Sequence, residues 1–107
     1  MKLLFVTKSN LKGKKKKAVF VMDDSSRKTV HFGGVKADGT PYTDYTRGAS
    51  DETRKRYIER HKSSVSEMRA TRRWKDPTAA GTLSRYLLWE HKSFPVAVTM
   101  YKRKFKI

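Results

Sequence analysis

The feature that most limits how this chain can fold is its excess of positive charge. Twenty-six Lys and Arg residues against ten Asp and Glu residues give a formal net charge of +16. Such an excess repels itself in a compact state and lowers stability. It is not confined to a tail, because residues 1–49 carry eleven basic and four acidic residues and residues 50–107 carry fifteen and six. The charge predicts an acidic partner: nucleic acid first, then an anionic membrane or an acidic protein surface.

The length and composition predict one small folded domain with a modest core. The chain has 107 residues, of which 36% are hydrophobic and 11% aromatic, an aromatic share too high for a purely disordered chain. It contains no cysteine, so disulfides and thiolate chemistry are excluded. The apolar start MKLLFV is too short for a signal peptide, and no segment approaches the roughly 20 apolar residues that span a bilayer. We expect a single basic domain over residues 1–107, with a β-rich segment at 1–33, a loop at 34–49 and a helical segment at 50–107.

Three short apolar runs in the first third predict an antiparallel sheet. They lie at residues 3–6, 18–22 and 29–32, and the polar turn 23–26 separates the last two as in a hairpin. The lysine run Lys14–Lys17 precedes the second strand, at the end of a Gly-containing stretch. Because closely packed like charges repel, we expect this run to be a mobile loop unless a polyanion binds it.

Helical spacing dominates the second half of the chain. Ser50 suits an N-cap before a basic helix in which Ile58, His61, Val65 and Met68 follow helical spacing. Asp76 and Pro77 predict the start of a second helix, and Ser93 caps a third whose apolar stripe is Phe94, Val98, Tyr101 and Phe105. The fold class expected is α+β, with a small hairpin or three-stranded sheet followed by three amphipathic helices.

The candidate residues for contact with nucleic acid or another anion are all basic. The alternative for each is an ordinary solvated surface, but acids spaced to pair with the bases of the first helix are few. The candidates are Lys14, Lys15, Lys16, Lys17, Arg54, Arg56, Arg60, Arg69, Arg72, Arg73 and Arg85.

Both tryptophans stand at the ends of one segment, WKDPTAAGTLSRYLLW, from Trp74 to Trp89. We interpret them as packing residues that close the two ends of a small core, and stacking on nucleobases is the alternative. The glycine inside this helical segment costs roughly 1 kcal/mol relative to Ala, which a close neighbour would explain. The structural motif residues are Trp74, Asp76, Pro77, Gly81, Leu83 and Trp89.

Five blocks occur in a fixed order along the chain: KTVHFG (Lys28–Gly33), YxDYT (Tyr42–Thr46), RYIxRH (Arg56–His61), WxDPxxAGxLSRxxLW (Trp74–Trp89) and YKxKF (Tyr101–Phe105). Together they resemble a family of short basic proteins encoded by giant viruses, the large DNA viruses of algae and protists. The resemblance covers roughly residues 28–107 and implies a virion-associated or capsid-associated protein without an assigned enzymatic activity. It supplies no catalytic residues. The segments 34–39 and 63–73 depart from the pattern by their length.

Three classes of function follow. The first is a structural protein of the virus particle, which binds viral DNA without sequence preference or cements capsid proteins as a minor capsid component. The second is an enzyme, which we do not expect because the sequence has no metal-ligand cluster, no phosphate-binding glycine loop and no cysteine. The third is a sequence-specific regulator, for which the helix from Pro77 to Trp89 offers only Arg85 to read bases. No cofactor or metal is expected, the oligomeric state is open, and the expected location is the virion, with the host cytoplasm or nucleus during assembly.

Overall fold

The structure, a computed structural model, describes residues 1–63 and 74–107. Strands β1 (Lys2–Lys8), β2 (Lys14–Val21) and β3 (Arg27–Gly34) come first, followed by a 3₁₀ turn at Tyr45–Arg47. Helix α1 spans Asp51–Ser63, α2 spans Ala80–Leu83 and continues as the π-helical segment Ser84–Leu88, and α3 spans Phe94–Phe105. The expected α+β fold, a three-stranded antiparallel sheet followed by three helices, is confirmed.

The sheet is a meander with strand order β1-β2-β3. Val21 pairs with Arg27 at the turn between β2 and β3, and the Ser26 amide donates to the Asp24 carboxylate at 2.9 Å. The predicted hairpin is thus confirmed. Between Leu3 and Phe5 the pairing of β1 with β2 shifts by one residue, which leaves Leu4 in a β-bulge.

The expectation that Lys14–Lys17 forms a mobile loop is wrong, because these four residues are the first half of β2. Alternation along a strand sends successive side chains to opposite faces, so the four charges do not all share one surface. Two of the lysines also find partners far along the chain. Lys15 pairs with Asp44, and the Lys16 ammonium lies 4.5 Å from the centre of the Phe94 ring.

The segment predicted as an unstructured loop, 34–49, contains short regular structure. Val35 and Pro41 form an isolated antiparallel bridge, and the Lys36 amide donates to the Thr40 carbonyl at 2.8 Å. The Val35 amide donates to the Gly13 carbonyl at 3.1 Å, which ties this small hairpin to the turn between β1 and β2. The loop is therefore held against the end of the sheet.

Two of the three predicted helix starts are confirmed. The Ser50 hydroxyl accepts from the Thr53 amide at 3.1 Å, and the Ser93 hydroxyl accepts from the Val96 amide. The predicted start at Asp76 and Pro77 is wrong, since α2 begins at Ala80. The Asp76 carboxylate instead accepts from the amide and hydroxyl of Thr78 and so closes a turn of its own before the helix.

The core lies between the inner face of the sheet and the helices α2 and α3. Leu3, Ala18, Phe20 and Phe32 supply the sheet side. The helical side is formed by Leu83, Leu87, Leu88, Trp89, Ala97 and Tyr101. Trp89 stacks on Tyr57 of α1 with ring centroids 4.2 Å apart and planes 7° apart, so α1 is attached to the core through this pair.

No helix in the described ranges is long and apolar enough to cross a membrane.

Burial of Tyr57 predicts a pH dependence of stability. Burial raises the pKa of its phenol to about 12, whereas an unfolded tyrosine titrates at about pH 10. Because the folded pKa is the higher one, this contribution to stability is complete below about pH 10 and is lost as the pH rises towards about 12. We expect the unfolding free energy of the wild type to fall more steeply over that range than that of Tyr57→Phe, measured by urea titration. Equal pH slopes for the two proteins would contradict it.

Candidate anion-binding groove

A groove of about 760 Å³ opens at the end of the sheet where β1 turns into β2. We call it the lysine groove, after the basic residues that line it. Val35, Pro41, Leu88 and Phe94 supply its apolar surface, and Asp44 is the one carboxylate among its described lining residues. Its basic residues are Lys8, Lys12, Lys14, Lys15, Lys16 and Arg47.

A buried ion pair forms one wall of the groove. The Lys15 ammonium donates to the Asp44 carboxylate at 2.6 Å, and the two side chains are only 8% and 1% exposed. The other Asp44 oxygen accepts from the amide and hydroxyl of Thr46, at 2.9 and 2.5 Å. Because Asp44 neutralises Lys15, five of the six basic residues of the groove remain without a carboxylate partner among the lining residues.

Two of these lysines face each other across the sheet. Lys8 of β1 is the direct register partner of Lys16 of β2. Like charges placed opposite each other on paired strands repel and destabilise the sheet. The Phe94 ring beneath Lys16 opposes this repulsion, since a cation–π contact at a partly exposed site contributes roughly 0.5–1 kcal/mol. A bound anion would reduce the remaining repulsion.

Gly33 of β3 lies close to two residues of the groove wall, Leu88 and Lys15. Gly33 has φ +80°, a region that favours glycine, and a Cβ atom there would lie 3.0 Å from the Leu88 side chain and 3.1 Å from that of Lys15. The absence of a side chain lets β3 pass close to both residues. Lys15 is thereby held where Asp44 reaches it.

The lysine run predicted to contact anions does not line the groove as a whole. Lys14, Lys15 and Lys16 line it, but Lys17 does not and pairs in register with His31. Sequence reasoning missed Lys8, Lys12 and Arg47. Spacing offers a signal for the first two, because both stand shortly before the run, but nothing local places Arg47 there.

Arg54 and Arg56, two of the candidates on α1, have partners inside the protein. The Arg54 Nε donates to the Trp89 carbonyl at 2.7 Å, and its guanidinium also contacts Glu90 at 3.3 Å. Arg56 pairs with Glu52 at 2.7 Å, one turn away on the same helix, and both side chains are exposed. The expectation that few acids are placed to pair with these bases is wrong for Arg54 and Arg56. Arg60 is exposed.

Arg85 is held by neighbouring side chains and is not presented to a ligand. Its guanidinium pairs with Glu90 and lies 5.4 Å from the Trp74 ring centre and 5.0 Å from that of Tyr86. Partial burial opposes ionisation of Glu90, but the hydrogen bond and charge of Arg85 and the charge of Arg54 outweigh it. The pKa of the Glu90 carboxyl is therefore lowered.

The motif residues of the segment Trp74–Trp89 make packing and hydrogen-bond contacts within the protein. Leu83 is fully buried and Trp89 nearly so, whereas Trp74 is half-buried beneath Arg85. The Pro77 carbonyl accepts a hydrogen bond from the buried Tyr101 hydroxyl, which joins this segment to α3. Gly81 lies in the first turn of α2. The predicted anion contacts Arg69, Arg72 and Arg73, together with Val65 and Met68, lie outside the described residues.

Within residues 1–63 and 74–107, no three His, Cys, Asp or Glu side chains come together as a metal site would require. Comparison with protein-family models, with curated proteins and with solved structures finds no match to this chain. The resemblance to giant-virus proteins therefore stays a prediction.

Proposed function

We propose that this chain is a non-enzymatic protein that binds the phosphate backbone of nucleic acid through the lysine groove, without reading base sequence. The observation that carries the proposal is the groove itself: six basic residues and one carboxylate around a single opening. Lys and Arg side chains that neutralise phosphates release condensed counterions, which supplies most of nonspecific affinity.

The chemistry of the groove favours backbone contact over base readout. Base edges are read by the paired donors and acceptors of Arg, Asn and Gln. Among its described lining residues the groove has one Arg, Arg47, and neither Asn nor Gln. Lysine ammonium groups act as point charges and suit phosphates of any sequence.

A sequence-specific regulator receives less support. Arg85, the residue predicted to read bases, lies in the π-helical segment after α2, where it is paired with Glu90 and packed on two aromatic rings. A recognition helix must direct such a side chain into the major groove. Freeing Arg85 would break these contacts.

The proposed setting is the particle of a large DNA virus, where viral DNA is the polyanion. This setting rests on the sequence resemblance over residues 28–107. A minor capsid protein that cements the shell is the alternative within the same setting, and it would use the basic surface against acidic capsid proteins. The binding experiments below separate the two, because only the genome-binding role requires salt-dependent affinity for DNA.

Removing charge from the groove tests the proposal. We expect the triple variant Lys8→Gln, Lys12→Gln, Lys14→Gln to bind duplex DNA at least about tenfold more weakly near 100 mM salt. Because each neutralised phosphate contributes about −0.9 to the slope of log affinity against log salt, the slope should become shallower by about 2 to 3 units. Fluorescence anisotropy with two duplexes of unrelated sequence measures both quantities, and the two duplexes should give equal affinities.

The control has the same change in net charge at another place. Lys55, Lys102 and Arg103 are exposed and lie outside the groove, and the triple change to Gln removes three charges there. We expect its salt slope to stay within about 1 unit of the wild type. Equal losses in the two triple variants would mean that diffuse charge binds DNA and that the groove has no special role.

A further inference from the structure

The outer face of the sheet, opposite the core, is a second surface whose chemistry the groove does not explain. The pairing register places its residues in three rows across β1, β2 and β3. We use the name outer sheet face for these nine residues. The rows are Thr7–Lys17–His31, Phe5–Val19–Thr29 and Lys2–Val21–Arg27.

The middle row has two apolar residues, Phe5 and Val19, and contains an exposed aromatic ring. Phe5 is 46% exposed, and the bulged Leu4 beside it is 43% exposed. Val19 is buried, yet it is not a member of the core cluster between sheet and helices. The bulge therefore turns Leu4 and Phe5, two consecutive apolar residues of β1, away from the core. In a regular strand, where successive side chains alternate between the faces, one of the two would face the core.

The rows on either side are basic. Lys17 and His31 lie on one side of the Phe5 row, and Lys2 and Arg27 lie on the other. Residues of one face are two positions apart along β2 and β3, so each basic row lies roughly 7 Å along these strands from the middle row. On β1 the bulge at Leu4 places Lys2 three positions from Phe5. No carboxylate belongs to these three rows. Asp23 and Asp24, in the turn beyond Val21, are engaged with the N-terminal ammonium and with Ser26, respectively.

We propose that the outer sheet face binds single-stranded nucleic acid, with a base stacked on Phe5 and phosphates near the basic rows. An aromatic ring on an open sheet face is a sequence-tolerant platform for an unpaired base, and basic residues around it hold the backbone. A duplex cannot use Phe5, because its bases are stacked within the helix. This proposal and the proposed function both require a nucleic acid partner, but they use different surfaces, the outer sheet face and the lysine groove.

Charge complementarity favours this occupant over a second copy of the chain. Two outer sheet faces brought together would oppose basic rows to basic rows, in a protein of net charge +16. A single strand supplies negative charge for the basic residues and flat bases that can stack on Phe5. An anionic membrane would supply charge without rings, and vesicles containing phosphatidylserine are therefore included in the test.

The experiment compares three nucleic acid probes on three proteins. The probes are a dT oligonucleotide of about 12 nucleotides, an abasic oligonucleotide of the same length and a duplex, all at one salt concentration. The proteins are the wild type, Phe5→Leu, which keeps an apolar side chain without a ring, and Phe5→Tyr, which restores a ring. Met100→Ala is the control variant, since Met100 is similarly exposed but lies on α3.

We expect the wild type to bind the dT strand about 5- to 100-fold more tightly than the abasic strand. Phe5→Leu should remove this preference and leave duplex affinity unchanged, while Phe5→Tyr and Met100→Ala should keep it. The wild-type preference does not depend on a variant folding, and a thermal melt checks that Phe5→Leu is folded.

The results that would overturn the stacking site differ from those that would overturn duplex binding in the lysine groove. Equal affinity of the wild type for dT and abasic strands, or an unchanged preference in Phe5→Leu, would overturn the stacking site even if duplex DNA binds the groove. Tighter binding to vesicles than to the dT strand would assign the face to a membrane. If the wild type binds none of the three nucleic acid probes, both proposals are overturned.

Discussion

Replacing Trp89 by alanine is expected to lower the free energy of unfolding by about 3–5 kcal/mol. The Trp89 side chain is only 9% exposed, belongs to the core cluster and stacks face to face on Tyr57. Truncation therefore leaves a cavity and removes the ring contact between α1 and the core. Domains of this size are stable by roughly 5–15 kcal/mol, and we expect self-repulsion of the net charge of +16 to lower the free energy of unfolding of this one. We expect the variant to be largely unfolded near 37 °C, as measured by circular dichroism in a urea titration.

Trp89→Phe is the matched control for this variant. Phenylalanine keeps a ring over Tyr57 and fills most of the space, so the expected loss is about half as large or less. The same pair of variants tests the alternative that tryptophan stacks on nucleobases. Full stability of Trp89→Ala together with lost DNA binding would contradict the packing interpretation.

Replacing Asp44 by asparagine is expected to lower the free energy of unfolding by about 3–5 kcal/mol. The physical reason differs from that for Trp89→Ala. The change keeps the shape of the side chain and an oxygen for Thr46, but it leaves the Lys15 ammonium buried without a counter-charge. Breaking one side of a buried ion pair exposes the full desolvation cost of the remaining ion. Chemical denaturation at pH 7 measures the loss.

A double variant shows whether the ion is the cause. Asp44→Asn combined with Lys15→Met removes the isolated charge and fills its place with an apolar chain, so most of the lost stability should return. A loss below about 1 kcal/mol in Asp44→Asn alone would mean that water reaches Lys15 and that the pair is not a fixed feature of the groove.

Local chemistry in the sequence is sufficient to predict much of the fold. The hairpin at residues 23–26 and the caps at Ser50 and Ser93 depend on residues at most three positions apart. The start of α2 is misplaced from the sequence because an Asx turn and an N-cap have the same local signature. In both, an Asp side chain accepts from an amide two or three residues further on, as Asp76 does from Thr78.

The lysine run shows why the site is harder to predict than the fold. From the sequence, repulsion between adjacent ammonium groups favours a mobile loop. In the structure the pairing with β3, the carboxylate of Asp44 and the ring of Phe94 outweigh that repulsion. Asp44 lies 29 residues from Lys15, so no local pattern contains this information.

The same limit applies to the arginines. A count of basic residues does not distinguish a free cation from one that is engaged within the protein. Arg54 has the sequence context of a phosphate contact on a basic helix, but its partner is the Trp89 carbonyl, 35 residues away. Arg85 likewise depends on Glu90 and on the Trp74 ring. Among the residues that the structure describes, Lys15 is the one basic residue of the groove with a carboxylate partner, so the other five remain candidates.

The most direct test of the groove is lysine footprinting. The protein is acetylated briefly, with and without a saturating DNA duplex, and the modified lysines are quantified by mass spectrometry. We predict that Lys8, Lys12 and Lys14 become protected by DNA, while the exposed Lys55 and Lys102 react at the same rate in both states. Protection of Lys55 and Lys102 without protection of the groove lysines would contradict binding through the lysine groove.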